Sequence, residues 1–197
     1  MGKVRSLVRE ALERDLPAYD VFTQGISRGM DIVGGRYEAG EYFLTELLGA
    51  AQIADEAMRE LAPYLKGRPV EGIGTVVLGT VEGDIHDIGK NIVKMLMTST
   101  GFEVYDLGTD VTPGKFAERA GETDANIVAM SSLLTTTMIG MRNVMNELEK
   151  LGLRGGLKVI IGGAPITDEF ASEIGADGAA KDAGHGVRLC KDWMGKA

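Results

Sequence analysis

The first third of the chain repeats its apolar positions at helical spacing. Val4, Leu7, Val8, Ala11 and Leu12 fall at i, i+3, i+4, i+7 and i+8, one face of an amphipathic helix. Asp15 ahead of Pro17 marks a second helix start, since proline is tolerated in a first turn. A stripe of Val21, Phe22, Gly25, Ile26, Gly29, Met30 and Val33 follows, in which the glycines would admit a close backbone approach. Gly34-Gly35 and the Glu38-Ala39-Gly40-Glu41 run interrupt it. Phe43 to Leu65 then forms a long helical run with Leu47, Leu48, Ala51, Ala54, Met58 and Leu61 on one face. Several helices on short loops predict a small bundle over residues 1–66.

Lys66-Gly67-Arg68-Pro69 is polar, holds both structure breakers and is the predicted linker. Beyond it the period changes. Short β-rich runs (Thr75-Val76-Val77-Leu78, Val104-Tyr105-Asp106-Leu107, Ile127-Val128-Ala129-Met130, Val159-Ile160-Ile161) alternate with segments of helix length. Thr112-Pro113 and Thr167-Asp168-Glu169 read as helix starts. A short strand at Gly178-Ala179-Ala180 and a helix from about Gly184 complete the pattern. Strands separated by helices over residues 67–197 predict an α/β domain, a doubly wound, flavodoxin-like sheet of five parallel strands. Ligands of such sheets sit beyond the carboxyl ends of the strands.

Composition narrows the classes. A net charge of −8 speaks against a nucleic-acid partner, which usually requires a basic patch. The one cysteine, Cys190, excludes an internal disulfide and a four-cysteine metal site. The charged start MGKVRSLVREALERDL lacks the apolar core of a signal peptide, and no run approaches the roughly 18 apolar residues of a membrane span. A cytoplasmic protein without a membrane partner is expected. The ten methionines are expected to fill core, and Cys190 to behave as a small buried hydrophobe.

The most informative segment follows the first predicted strand: Gly79-Thr80-Val81-Glu82-Gly83-Asp84-Ile85-His86-Asp87-Ile88-Gly89-Lys90. It lies where an α/β fold binds ligands, with a helix expected to begin near Gly89, yet it lacks both glycine-rich phosphate patterns. It presents an imidazole with carboxylates at i−2 and i+1. A metal-ligating histidine almost always gives its other ring N–H to a carboxylate or carbonyl, and an extended i, i+2 pair puts Asp84 and His86 on one side. A phospho-acceptor histidine or a catalytic base would account for the same trio. The other histidine, His185, and Cys190 are about a hundred residues away, so a metal on His86 would have to bring its own ligands.

Asp84-x-His86-x-x-Gly89 resembles the D-x-H-x-x-G signature of base-off/His-on cobalamin-binding domains. The S-x-L and G-G that accompany that signature are matched by Ser131-Ser132-Leu133 and Gly162-Gly163. Gly29-Met30-x-x-Val33-Gly34, Gly40-Glu41-Tyr42-Phe43 and Ala62-Pro63-x-Leu65 resemble the helical cap of corrinoid methyl carriers. The whole chain is thus similar to corrinoid protein subunits of methylamine, methanol, glycine betaine and methoxyaromatic methyltransferase systems, and to the cobalamin domains of methionine synthase.

That resemblance implies a cobalamin cofactor whose cobalt takes His86 as lower ligand, with Asp84 as the imidazole's partner. The relay in methionine synthase ends in a serine, whose place is taken here by Thr137. A threonine hydroxyl donates and accepts equally well. Gly83, Ile85, Asp87, Ile88 and Gly89 would line the cofactor, and Ser131, Leu133 and Thr135 would lie along its nucleotide tail. Gly162, Gly163 and Ala164 would leave room for that tail, with Asp182 and Ala183 near its end. Read without the resemblance, Thr135-Thr136-Thr137 is a helix cap, Gly162-Gly163 a strand-end turn and His185 a solvated residue at a helix start. Phe43 is expected in the bundle core, the alternative being a cover for the corrin's upper face.

In function, the resemblance implies a non-catalytic carrier. Such a protein takes a methyl group onto cobalt from a substrate-specific methyltransferase and yields it to a second, folate- or thiol-dependent one. A reductive activation protein is a further partner. An adenosylcobalamin mutase subunit, a cobalamin-sensing protein and a flavodoxin-like module without cobalamin are the rival readings. A hinge is expected near Gly67.

Overall fold

The computed structural model describes residues 2–65 and 72–195. The predicted linker Lys66–Pro69 and the hinge at Gly67 lie outside the described residues. The chain divides into two compact units, one helical and one built on a sheet, Met95–Phe102 grouping with the helical one.

The helical unit contains α1 (Gly2–Glu13), the short α2 (Ala18–Asp20), α3 (Arg28–Glu38) and α4 (Leu44–Leu65). Val21–Ser27, which joins α2 to α3, is wound as a π-helix. Of the α1 stripe read from the sequence, Val4, Val8 and Leu12 pack inward, whereas Leu7 is exposed. Val8 is buried with Phe22, Ala57 and Leu61, and Val4, Leu12, Ile26 and Met58 pack around them. Arg5–Glu56 and Arg9–Glu60 pair at 2.8 and 2.6 Å along the α1–α4 seam. An apolar groove of about 390 Å³ opens in this unit between Leu7, Ile26, Val33 and Ile53.

Phe43 corrects an expectation. It is 75% exposed and is no part of the bundle core. The physical reason is its place one residue ahead of α4, where its N–H donates to Glu46 Oε2 at 2.9 Å. That reciprocal carboxylate is the helix-capping half of a capping box, and it holds the phenyl outside the apolar stripe.

The sheet unit contains β1 (Thr75–Thr80), β2 (Glu103–Asp106), β3 (Ile127–Ser131), β4 (Lys158–Gly162) and β5 (Gly178–Ala180). All pairs are parallel and the order is β2-β1-β3-β4-β5, the flavodoxin-like arrangement. The crossovers are α5 (Ile88–Thr100), α6 (Pro113–Glu122), α7 (Met138–Lys150) and α8 (Asp168–Ile174), and α9 (Ala183–Trp193) closes the chain. Central β1 and β3 are buried on both faces, which is why they read as continuous apolar runs rather than as alternation. Phe116, Met141, Met145, Leu148 and Ile161 fill the core against one face, each burial contributing roughly 1.5–3 kcal/mol. Cys190 is wholly buried, and burial pushes its thiol up to about 12.

Register places the site. Thr80, Ser131, Gly162 and Ala180 form one row across β1, β3, β4 and β5, each the last residue of its strand. The next residues of four neighbouring strands therefore leave the sheet side by side. No helix among the described residues is long and apolar enough to cross a membrane.

Candidate cofactor site at the strand ends

The chain leaving β1 turns at Gly83, whose φ of +82° suits a residue without a Cβ. Asp84 then drops into the interior and is fully buried, whereas Ile85, His86, Asp87, Ile88 and Gly89 are exposed. A buried carboxylate must be answered by donors, and Asp84 has four. Its Oδ1 accepts the His86 N–H at 3.0 Å and faces His86 Nδ1 at 2.8 Å. Its Oδ2 accepts the Leu133 N–H at 2.7 Å and the Thr137 hydroxyl at 2.9 Å. Burial pushes the Asp84 carboxyl up, but the N–H groups of His86 and Leu133, the imidazole and Thr137 together pull it well below the usual carboxylate range.

An ionised carboxylate accepts only, at about four lone-pair sites, and all are taken. His86 Nδ1 is then the donor of the shared hydrogen bond, and in the neutral tautomer that fits this bond the lone pair lies on Nε2. The ring is held on its Nδ1 side and its side chain is 47% exposed. Thr80 Oγ1 donates to the His86 carbonyl at 3.0 Å and fixes the far end of the turn.

Thr137 occupies the position ahead of α7, yet its hydroxyl does not cap that helix. It is spent on Asp84, so the threonine run cannot be read as simple helix capping. Ser132, buried next to it, lies 2.8 Å from Thr137 Oγ1 and 3.2 Å from the Leu134 carbonyl. Ser132 went unnoticed in the sequence because it fills the unspecified place of the S-x-L motif. Its neighbours differ: Ser131 is half-buried at the end of β3, and Leu133, Leu134 and Thr135 are exposed beyond it.

Gly163 has φ +135°, and a Cβ there would stand 1.8 Å from the Ser132 carbonyl oxygen. Gly162 donates no side chain either, its carbonyl accepting the Ser132 N–H at 3.0 Å. This close passage of the β3 and β4 ends is the direct reason for glycine at position 163, whereas a Cβ at Gly162 would only touch Ala180 at 3.4 Å. Gly163→Ala is expected to lower stability by about 1–3 kcal/mol through backbone strain and displacement of Ser132. Thermal unfolding of the variant measures it, and an unchanged melting temperature would refute the stated cause.

Gly163 and Ala164 are exposed, as is Asp182, which caps α9 by accepting the His185 N–H at 2.9 Å. Ala183 is half-buried at the first position of α9. His185 is half-buried in the first turn of that helix, and its Nδ1 accepts the Lys181 N–H at 3.3 Å. Beside the site, Lys90 is buried and its ammonium contacts Asp106 at 2.7 and 2.8 Å, tying the start of α5 to the end of β2.

These features fit a metal that arrives inside an apolar macrocycle. Among the described residues no three His, Cys, Asp or Glu side chains gather to hold a bare ion. One imidazole with a free Nε2 is offered instead, with Ile85 at 76%, Ile88 at 78% and Leu133 at 44% exposure in the segments around it.

Residues 74–188 match the B12 binding domain family, and residues 2–62 match a second model with the same description. The chain belongs to the B12-binding family. Its cofactor is cobalamin. The protein is 42% identical to dimethylamine corrinoid protein 3 of Methanosarcina acetivorans, over 95% of this chain and 89% of that one. A cobalamin-binding protein from Desulfitobacterium hafniense superposes with a TM-score of 0.81 at 37% identity, over 98% and 91% of the two chains. A chain of the methanol:cobalamin methyltransferase complex MtaBC from Methanosarcina barkeri gives the same TM-score at 25% identity, over 98% and 79%.

Proposed function

We propose that this B12-binding protein is a corrinoid methyl carrier, with residues 1–66 as a helical cap and 67–197 as the cofactor domain. The observation that carries the reading is the extent of the similarity. A dimethylamine corrinoid protein matches over 95% of the chain, helical unit included. The solved relative from a methanol:cobalamin methyltransferase complex does so over 98%.

His86 is the proposed cobalt ligand, through Nε2. When bound, cobalamin supplies a cobalt centre that can accept a methyl group and give it up. The chain's own residues control the ligand. Asp84 selects the tautomer by accepting a hydrogen bond from Nδ1–H at 2.8 Å, so that the lone pair of the neutral ring lies on Nε2. Thr137 and Leu133 hold the carboxylate against the end of β3, so the imidazole is oriented from a buried anchor and not from a mobile surface loop. The Ser131–Thr135 and Gly162–Ala164 segments, with Asp182 and Ala183, lie along the same row of strand ends and are the proposed bed of the nucleotide tail. The proposed partners are a substrate-specific methyltransferase, a second methyltransferase with a folate or thiol acceptor, and a reductive activation protein.

The test is anaerobic. The cofactor-loaded protein is reduced and offered methylated amines, alcohols and aryl ethers with and without candidate first methyltransferases, and its visible spectrum is followed. Methylation is expected only with a cognate methyltransferase, and discharge only with a second one. Rapid substrate-specific methylation by this chain alone would replace the carrier with a complete enzyme.

A further inference from the structure

The loop that carries His86 is gripped from two sides, and only one of them belongs to the row of residues already described. On the β3 side, Leu133 and Thr137 hold the Asp84 carboxylate. On the β2 side, a single residue holds the backbone. Asp110 Oδ1 accepts the Gly83 N–H at 2.7 Å, and the Asp110 N–H donates to the Asp84 carbonyl at 2.9 Å. Around it the chain after β2 runs on as a ladder. The Thr80 N–H donates to the Gly108 carbonyl and the Val111 N–H to the Thr80 carbonyl, both at 3.0 Å, and Val81 bridges Val111 in parallel.

Asp110 adopts φ +52°, opposite Gly83 at +82°. The left-handed region is costly for a residue with a Cβ, least so for Asp and Asn. Here it is where the side chain and the N–H of one residue both reach the turn ahead of Asp84.

We infer that Asp110 is a positioning residue for His86, which sets the backbone from which the Asp84 carboxylate and then the imidazole are aimed. The inference rests on His86 being the cobalt ligand. Asp110 touches neither His86 nor, in this reading, the cofactor, so its effect passes through Gly83 and Asp84. With the carboxylate pinned from β3 and the backbone pinned from β2, the imidazole is left little freedom to tilt. Loss of the β2 clamp leaves Asp84 charged and buried but free to shift along the turn.

Asp110→Gly and Asp110→Asn separate the acceptor oxygen from the backbone conformation, because both residues tolerate positive φ. In the cofactor-free protein, Asp110→Gly is expected to speed exchange of the Gly83 amide about tenfold, the equivalent of one modest hydrogen bond. In the cobalamin-loaded cobalt(II) protein it is expected to weaken imidazole ligation about 10–100-fold, the range typical of groups behind a metal ligand. That weakening is read as loss of nitrogen splitting in the electron paramagnetic resonance spectrum. Asp110→Asn, which keeps an acceptor oxygen, is expected to retain both properties. A wild-type spectrum from Asp110→Gly, equal losses in Asp110→Asn, or global unfolding of Asp110→Gly would each overturn the inference. Absence of nitrogen splitting in the wild-type protein would instead remove the ligand assignment on which it stands.

Discussion

Cobalamin-loaded His86→Ala, held as cobalt(II), is expected to show no imidazole nitrogen splitting in its electron paramagnetic resonance spectrum, whereas the wild-type protein is expected to show it. The expectation follows from one tautomer. Asp84, an ionised carboxylate with no proton to give, accepts the hydrogen bond from Nδ1–H and leaves Nε2 as the ligating atom. The only other histidine, His185, lies in the first turn of α9 with its Nδ1 engaged at the Lys181 N–H. It is no substitute. The variant should keep its fold, because the lost side chain is 47% exposed and the residue-86 N–H still answers Asp84 Oδ1. It should also keep part of its cofactor affinity, since the proposed tail contacts on β3, β4 and β5 are untouched. Free imidazole added to the variant should restore the splitting by entering the space left by the ring. Identical spectra for the variant and the wild-type protein would show that His86 is not the ligand.

Much of this arrangement could be read from the linear sequence, and each exception has its own physical cause. The central strands were legible because a strand buried on both faces is a run of β-branched and apolar residues, as at Val76-Val77-Leu78 and Val159-Ile160-Ile161. Asp84 and His86 were legible as a pair because they are two residues apart. The π-helix at Val21–Ser27 was not, since over seven residues a stripe spaced for a π-helix resembles one spaced for an α-helix. Phe43 was misassigned because hydrophobicity outweighed its position at a helix start. Ser132 is only five residues from Thr137 and was hidden by its unspecified place in the S-x-L motif, whereas Asp110 acts across a distance that spacing does not encode. Asp110 meets Gly83 over 27 residues, and only the parallel register of β1 and β2 brings their following loops together. Local patterns thus announce the elements and the ligand, whereas the groups that aim the ligand depend on which strands become neighbours.

Asp84→Ala is expected to cost about 2–4 kcal/mol of stability near neutral pH, because it strips the acceptor from two backbone N–H groups. Thr137 is not the main loser, because its hydroxyl has the Leu134 carbonyl within 3.0 Å as a second acceptor. The Leu133 and residue-86 N–H groups lose the acceptor they have in Asp84, and a donor left unanswered costs about 1–3 kcal/mol, the lower part of that range where it is partly exposed. The pH dependence has a definite sign. The folded-state pKa of Asp84 lies below the value of about 3.9 for an unfolded chain, so the carboxylate contributes fully above that value. Its contribution is lost as the pH falls through the depressed folded value. The stability gap between the wild-type protein and Asp84→Ala should therefore be widest at neutral pH and narrow steadily below about pH 4. Denaturant unfolding of both proteins at pH 7 and pH 3 measures the gap. Asp84→Asn should lose less, because its amide oxygen still accepts from residue 86 while Thr137 can turn to accept from the amide nitrogen. It carries no charge to titrate, so its gap to the wild-type protein should also shrink in acid. A gap that stayed constant from neutral to acid would mean that the hydrogen bonds of Asp84, and not its ionised state, supply the stability.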